Sequence, residues 1–186
     1  MKIYLKSCSL FEVKNTVEYN LINGVNLISE TEDEPCIATD NDKTLISQTV
    51  RGPVFISVCG RSCEQILSNS RRIIEIAPNV VLKLKVGLES IKACSILSSN
   101  DVSICMCGIE SLTQALISAR AGADFIGITG NNFSENKTEN IAETISLINK
   151  YEFQTEIIID YSDQLIESGP DAIFISHQDL IGQLDK

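Results

Sequence analysis

Nine residues in the middle of the chain, Ala77-Pro78-Asn79-Val80-Val81-Leu82-Lys83-Leu84-Lys85, put an amine into an apolar run. Pro78-Asn79 punctuates the start of that run and Gly87 follows its end, the flanks of a buried, parallel strand. Lys83 then falls in the C-terminal part of the strand. Desolvating an ammonium is costly, so such a lysine either snorkels toward the strand end or has a lowered pKa. A lysine of lowered pKa is a free amine near neutral pH and can condense with a carbonyl to a Schiff base. The alternative is a strand-end lysine that simply points into solvent.

Few other residues carry comparable chemistry. Lys6 closes a short apolar run at the N-terminus, and Asp160 closes another, Thr155 to Ile159. Two lysines held close depress each other's pKa and favour a nucleophile, whereas Asp160 paired with either lysine makes a plain ion pair. Cys105 and Cys107 alternate on one strand face, where cysteine commonly acts as a small apolar filler. His177 is the single histidine, and no CxxC pair occurs, so the sequence offers no metal site.

The elements that must position these residues follow from periodicity. Lys2 to Lys6 reads as a strand, and Ser9 caps a helix to Asn20 with Glu12 as its capping-box partner. Strand Val25 to Ile28 comes next, then an acidic loop from Ser29 to Asp42 and a short helix, Lys43 to Val50. Strand Val54 to Val58 leads to a helix capped by Ser62 and running to Ile76. After the strand that carries Lys83 come helix Leu88 to Leu97, strand Val102 to Cys107 and helix Ser111 to Ala121, closed by Gly122. Strand Ala123 to Ile128, helix Thr138 to Tyr151, strand Thr155 to Ile159 and helix Ser162 to Ser168 follow. Strand Ala172 to Ser176 and helix Gln178 to Leu184 end the series.

Strand and helix thus alternate eight times, which predicts parallel strands joined by right-handed crossovers. The expected fold is a compact (β/α)8 TIM barrel, one domain over residues 1–186, with helices 2, 7 and 8 trimmed. An open doubly wound sheet would place a glycine-rich turn after the first strand. Lys6-Ser7-Cys8-Ser9 has none. In a barrel, chemistry belongs at the C-terminal ends of the strands. Collecting polar residues there gives Lys83, Lys6, Asp160 and Thr129 as catalytic candidates. Asn26, Ser57, Cys105, Cys107 and Ser176 are substrate-binding candidates, with Lys85 and His177 nearby.

Composition narrows the setting. The chain has 186 residues, 44% of them apolar, and a formal net charge of −10. That charge argues against nucleic acid or an anionic membrane as the partner. No apolar run approaches the roughly 20 residues of a membrane span, and the N-terminus lacks the layout of a signal peptide. Seven cysteines, an odd count scattered through strands and helices, favour reduced thiols in a cytoplasm.

Several segments resemble the small transaldolase and fructose-6-phosphate aldolase family. They are Met1 to Leu5, the helix from Leu10, Gly24-Val25, Gly52-Pro53-Val54, Ala77 to Lys83, Gln114-Ala115-Leu116, Ala119 to Ala123 and Tyr151 to Ile158. The resemblance implies a (β/α)8 barrel with Lys83 as the Schiff-base lysine of strand 4. It implies cofactor-free aldol chemistry on a small ketose or sugar phosphate in carbohydrate metabolism, and a homo-oligomer. The chain departs from the family pattern around that lysine. The strand-1 aspartate falls at Lys6, and the strand-2 Thr-Asn-Pro-Ser run at Leu27-Ile28-Ser29-Glu30. The strand-3 acid or amide falls at Ser57, the proline after the lysine at Lys85, and the strand-5 Asn-x-Thr pair at Cys105 and Cys107. The phosphate-holding serine and arginine fall at Gly127 and Asn132. These changes remove proton carriers and a phosphate anchor. Three readings follow. One is altered or impaired Schiff-base aldol chemistry. Another is an inactive barrel serving as a binding or regulatory partner. The third is a different small-molecule site built on Cys105, Cys107 and His177.

Overall fold

Short apolar runs separated by capped helices dictate the architecture. The computed structural model describes residues 1–28, 37–128 and 137–184. Its strands are β1 (Lys2–Lys6), β2 (Gly24–Asn26), β3 (Val54–Ser57), β4 (Val80–Lys85), β5 (Ile104–Ile109), β6 (Phe125–Ile128), β7 (Glu156–Asp160) and β8 (Ala172–Ser176). The alternating helices are α1 (Leu10–Glu18), α2 (Asp40–Thr49), α3 (Cys63–Ile74), α4 (Leu88–Ser98), α5 (Leu112–Arg120), α6 (Lys137–Lys150), α7 (Asp163–Ile166) and α8 (His177–Leu184). The strands are hydrogen-bonded in sequence order and all parallel, and β8 closes on β1, so the sheet is a closed (β/α)8 barrel.

Four helices start with the same local chemistry. The hydroxyls of Ser9, Thr39, Ser62 and Ser111 accept the backbone N–H of Glu12, Asp42, Gln65 and Gln114, each three residues on. This satisfies donors that the first turn otherwise leaves unpaired. In α3 and α5 the third residue also reaches back: Gln65 Oε1 accepts the N–H of Arg61, and Gln114 Oε1 that of Glu110. The Thr39 cap explains one departure from expectation. Helix α2 begins at Asp40, not Lys43, and runs ten residues rather than being trimmed. Asp40 and Asp42, expected in a loop, lie in its first turn, where the helix dipole favours carboxylates.

The even-numbered strands share a second device at the opposite end of the barrel. The residue before each is Asn or Asp. Asn23 Oδ1 accepts the N–H of Ile3, Asp124 Oδ2 that of Ile104, and Asp171 Oδ2 that of Ile157. Asn79 Nδ2 donates instead, to the carbonyls of Ser47, Val50 and Gly52. These side chains fix strand register from below. Asp124 therefore precedes β6 rather than lying within it. Strand β5 also runs two residues later than periodicity predicts, to Ile109, because its register on β6 shifts between Met106 and Ile109. Gly108 lies in that shift at φ 70°, a conformation that suits glycine.

Two cores result from the strand alternation. Outward-facing Leu5, Val25, Ile56, Leu82, Ile104, Ile126, Ile157 and Ile173 pack against the helices. Inward-facing Tyr4, Phe55, Val81, Cys105, Phe125, Ile158, Ala172 and Phe174 fill the barrel. The ring of Phe55 meets those of Tyr4, Phe125 and Phe174 edge-on, at centroid distances of 5.0, 5.1 and 5.3 Å. Burial raises the pKa of the Tyr4 phenol well above its usual value, and nearby Glu156, Cys105 and Asp171 add to the shift. Among the described residues, no helix is long and apolar enough to cross a membrane.

Candidate active site

The inward core is a floor, and the period of two along a strand sets what stands on it. Two residues beyond Tyr4, Phe55, Val81, Cys105, Phe125, Ile158 and Phe174 lie Lys6, Ser57, Lys83, Cys107, Gly127, Asp160 and Ser176. They form the next layer up, at the C-terminal mouth, where barrel chemistry is carried out.

Lys83 Nζ donates a 3.3 Å hydrogen bond to Asn26 Oδ1, and Asn26 is buried. Ser57, also buried, is the register partner of Lys83 on β3, and Cys105 is its partner on β5. Lys6 Nζ donates to Asp160 Oδ1 at 3.0 Å, and both side chains are 36% exposed. Lys6 is also the register partner of Asn26. Strands β1, β2, β3 and β4 thus place Lys6, Asn26, Ser57 and Lys83 side by side around one arc of the mouth, and Asp160 reaches Lys6 from β7 across the intervening β8. Of the two sequence alternatives for Lys6, the ion pair with Asp160 is the one realised.

The other arc is apolar and soft. Cys105 and Cys107 are buried thiols. A Cβ added at Gly127 would sit 3.5 Å from Cys107 Cβ and 3.8 Å from Cys105 Sγ, so Gly127 leaves room for one small side chain against them. Ser176 lies in the layer, but its hydroxyl accepts the Asp179 N–H at 3.1 Å and donates to the Asp179 carboxylate at 2.5 Å. Those bonds hold the start of α8. Thr129 and Asn132 lie outside the described residues.

Periodicity does not reveal a second cluster, around Glu12. Its carboxylate accepts from Ser7 Oγ at 2.5 Å and lies 3.9 Å from His177 Nδ1. Glu12 reads in sequence as a capping residue, and only closure of β8 onto β1 brings His177 beside it. His177 follows β8, three strands round the barrel from β5, which carries Cys105 and Cys107. Among the described residues, no group of three or more His, Cys, Asp or Glu side chains converges as a metal site.

Fold and mouth together define a class: a (β/α)8 barrel whose polar cluster, centred on a strand-4 lysine, crowns an aromatic floor. Comparison with known proteins gives the family. The family model described as Transaldolase/Fructose-6-phosphate aldolase matches residues 35–164. A probable transaldolase of Brucella anthropi is 30% identical over 167 residues, covering 85% of this chain and 74% of that protein. One from Chlorobaculum parvum is 30% identical over 170 residues, covering 86% and 77%. One from Thermus thermophilus is 32% identical over 135 residues, covering 68% and 60%. The chain belongs to the transaldolase/fructose-6-phosphate aldolase family, and membership supports aldolase-type function in the broad sense.

Proposed function

We propose that the protein carries out class I aldol chemistry on a small ketose, with Lys83 as the Schiff-base residue. The observation that carries this reading is the Lys83 amine, standing at the strand-4 mouth above an apolar floor and oriented by Asn26 Oδ1.

In this reading Lys83 Nζ adds to the ketone carbonyl carbon, and the oxygen leaves as water after proton transfer. The resulting iminium draws the electron pair of the adjacent carbon–carbon bond as it breaks, leaving an enamine on the lysine. The proton of the cleaved hydroxyl passes to a base and an aldehyde departs. Asp160 is the base, directly or through one water, with Lys6 holding it in place. The enamine then either adds to a second aldehyde or is protonated. Water hydrolyses the final imine and restores the amine. Asn26 and Ser57 bind substrate hydroxyls, while Cys105 and Cys107 wall the apolar side. Ser176 completes the mouth. The chain works in the cytoplasm as a single-domain barrel, with its rate altered by the lost family groups, and acts as a homo-oligomer.

Borohydride trapping tests the reading. The folded protein is incubated with dihydroxyacetone, reduced, digested and mapped by mass spectrometry, with Lys83→Met as control. The expected result is an adduct on Lys83 that the control lacks. Absence of an adduct from folded protein defeats the reading and leaves the inactive, partner-binding barrel in its place.

A further inference from the structure

A cavity of about 280 Å³ opens at the N-terminal end of the barrel, on the far side of the aromatic floor from Lys83. Its lining joins Lys2, at the foot of β1, to Arg51, Pro53, Pro78 and Ser103 in the turns that lead into β3, β4 and β5. Tyr4 and Phe125, two rings of the floor, form its roof. Small-molecule sites start at about 300 Å³, so an occupant of this cavity is compact.

Two of its polar groups lack a partner among the described residues. Tyr4 is 1% exposed, and its hydroxyl makes no hydrogen bond to any of them. Leaving so buried a donor unmet is costly. Glu156 and Asp171, at the feet of β7 and β8, both act on the phenol, so its oxygen points toward this end of the barrel. Burial and those two charges keep the phenol protonated and able to donate. Arg51 is exposed and makes neither a hydrogen bond nor an ion pair with a described residue. The carboxylates of this end are engaged elsewhere. Glu156 Oε1 meets the Lys2 ammonium at 2.5 Å, and Asp124 and Asp171 accept the N–H groups of Ile104 and Ile157. None of the three lines the cavity.

The turn that carries Arg51 is held on both sides. Asn79 Nδ2 donates to the carbonyls of Val50 and Gly52, the two neighbours of Arg51, each at 2.9 Å. A Cβ at Gly52 would collide with the Asn23 carbonyl, and one at Gly24 with the Pro53 carbonyl and the Tyr4 ring. These bare positions let the Arg51 turn and the Tyr4 ring close on the same strand, β2. We propose that the cavity binds a small organic carboxylate, with Arg51 and the Tyr4 hydroxyl on its oxygens and Pro53, Pro78, Val81 and Phe125 around its apolar body. A guanidinium offers a carboxylate two parallel donors, and the phenol adds a third. The site is separate from Lys83 and does not depend on the Schiff-base reading.

Calorimetry at low salt tests the site, with benzoate as the probe. Folded wild type binds benzoate. Arg51→Ala binds it at least about tenfold more weakly, through loss of a charged donor, and Tyr4→Phe about fivefold more weakly. Arg51 is exposed and Tyr4→Phe keeps the ring, so both variants fold, as a cooperative urea transition would show. Acetate, the carboxylate without the body, and benzyl alcohol, the body without the charge, both bind more weakly than benzoate. Arg61→Ala removes an exposed arginine that does not line the cavity, and it leaves benzoate binding unchanged. Lys83→Met also binds like the wild type. The proposal is overturned by absence of binding to the wild type, or by binding that either Arg51→Ala or Tyr4→Phe leaves unchanged. It is equally overturned if Arg61→Ala or Lys83→Met weakens binding as much as Arg51→Ala does, since the anion then sits elsewhere.

Discussion

Lys83 and Asn26 are joined across an intervening strand: Nζ of one donates to Oδ1 of the other at 3.3 Å, over Ser57 of β3. The bond gives the Lys83 amine a buried neutral acceptor that fixes its position. Asn26→Ala should slow adduct formation at Lys83 by roughly tenfold, the worth of one orienting hydrogen bond. The rate of borohydride-dependent mass gain measures this. An unchanged rate means that Asn26 does not orient the amine.

The Lys6–Asp160 pair is more than a third exposed, so its stabilising effect is small, under about 1 kcal/mol. Its proposed catalytic weight is much larger. Asp160→Asn should lower carbon–carbon cleavage about 100-fold or more, with little change in the urea midpoint. Cleavage rate and urea titration on the same preparation separate the two effects. Comparable small changes in both would reduce the pair to a surface contact.

Phe55 is the centre of the floor, fully buried and in edge contact with three rings. Phe55→Ala should cost about 3 to 5 kcal/mol, a large part of a typical domain's stability. Phe55→Leu keeps most of the volume and should cost about 1.5 kcal/mol. Denaturant unfolding of both variants checks the order, and equal losses would contradict a packed floor.

Burial pushes the Cys94 thiol up to about 12, and nearby Asp124 contributes to the shift. Because the folded pKa is raised, the folded state holds this proton longer than the unfolded state. The associated stability is full below the unfolded pKa of about 8.5. It is lost as pH rises from there through the folded value. Cys94→Ala should flatten that part of the stability–pH curve between about pH 9 and 11. At pH 8, native Cys94 should resist iodoacetamide while the partly exposed Cys63 reacts, as peptide mapping would show.

Much of the fold was legible in the sequence because it is encoded locally. Apolar runs such as Val80 to Leu84 and Ile157 to Ile159 mark strands, and Ser9, Ser62 and Ser111 mark helix starts through bonds only three residues long. Boundaries failed where a distant partner decides them. Strand β5 extends to Ile109 because β6 pairs with it through a bulge, and Asp124 is withdrawn from β6 by the N–H of Ile104. Helix α2 is a different failure, since Thr39 and Asp42 form a local cap within what looked like an acidic loop.

By itself, then, the sequence determined eight repeats, their parallel order, and the alternation that turns Lys83 to the inside. Those depend on side-chain period and local capping, which the chain carries at every point. Tertiary structure alone decided which inward residues meet. Asp160 chose Lys6 over Lys83, Asn26 reached Lys83 across β3, and His177 came to lie beside Glu12. The Lys6–Asp160 and Glu12–His177 pairings are set by closure of β8 on β1, and the Asn26–Lys83 pairing by the registers of β2, β3 and β4. Closure joins residues more than 150 positions apart and leaves no trace in local periodicity.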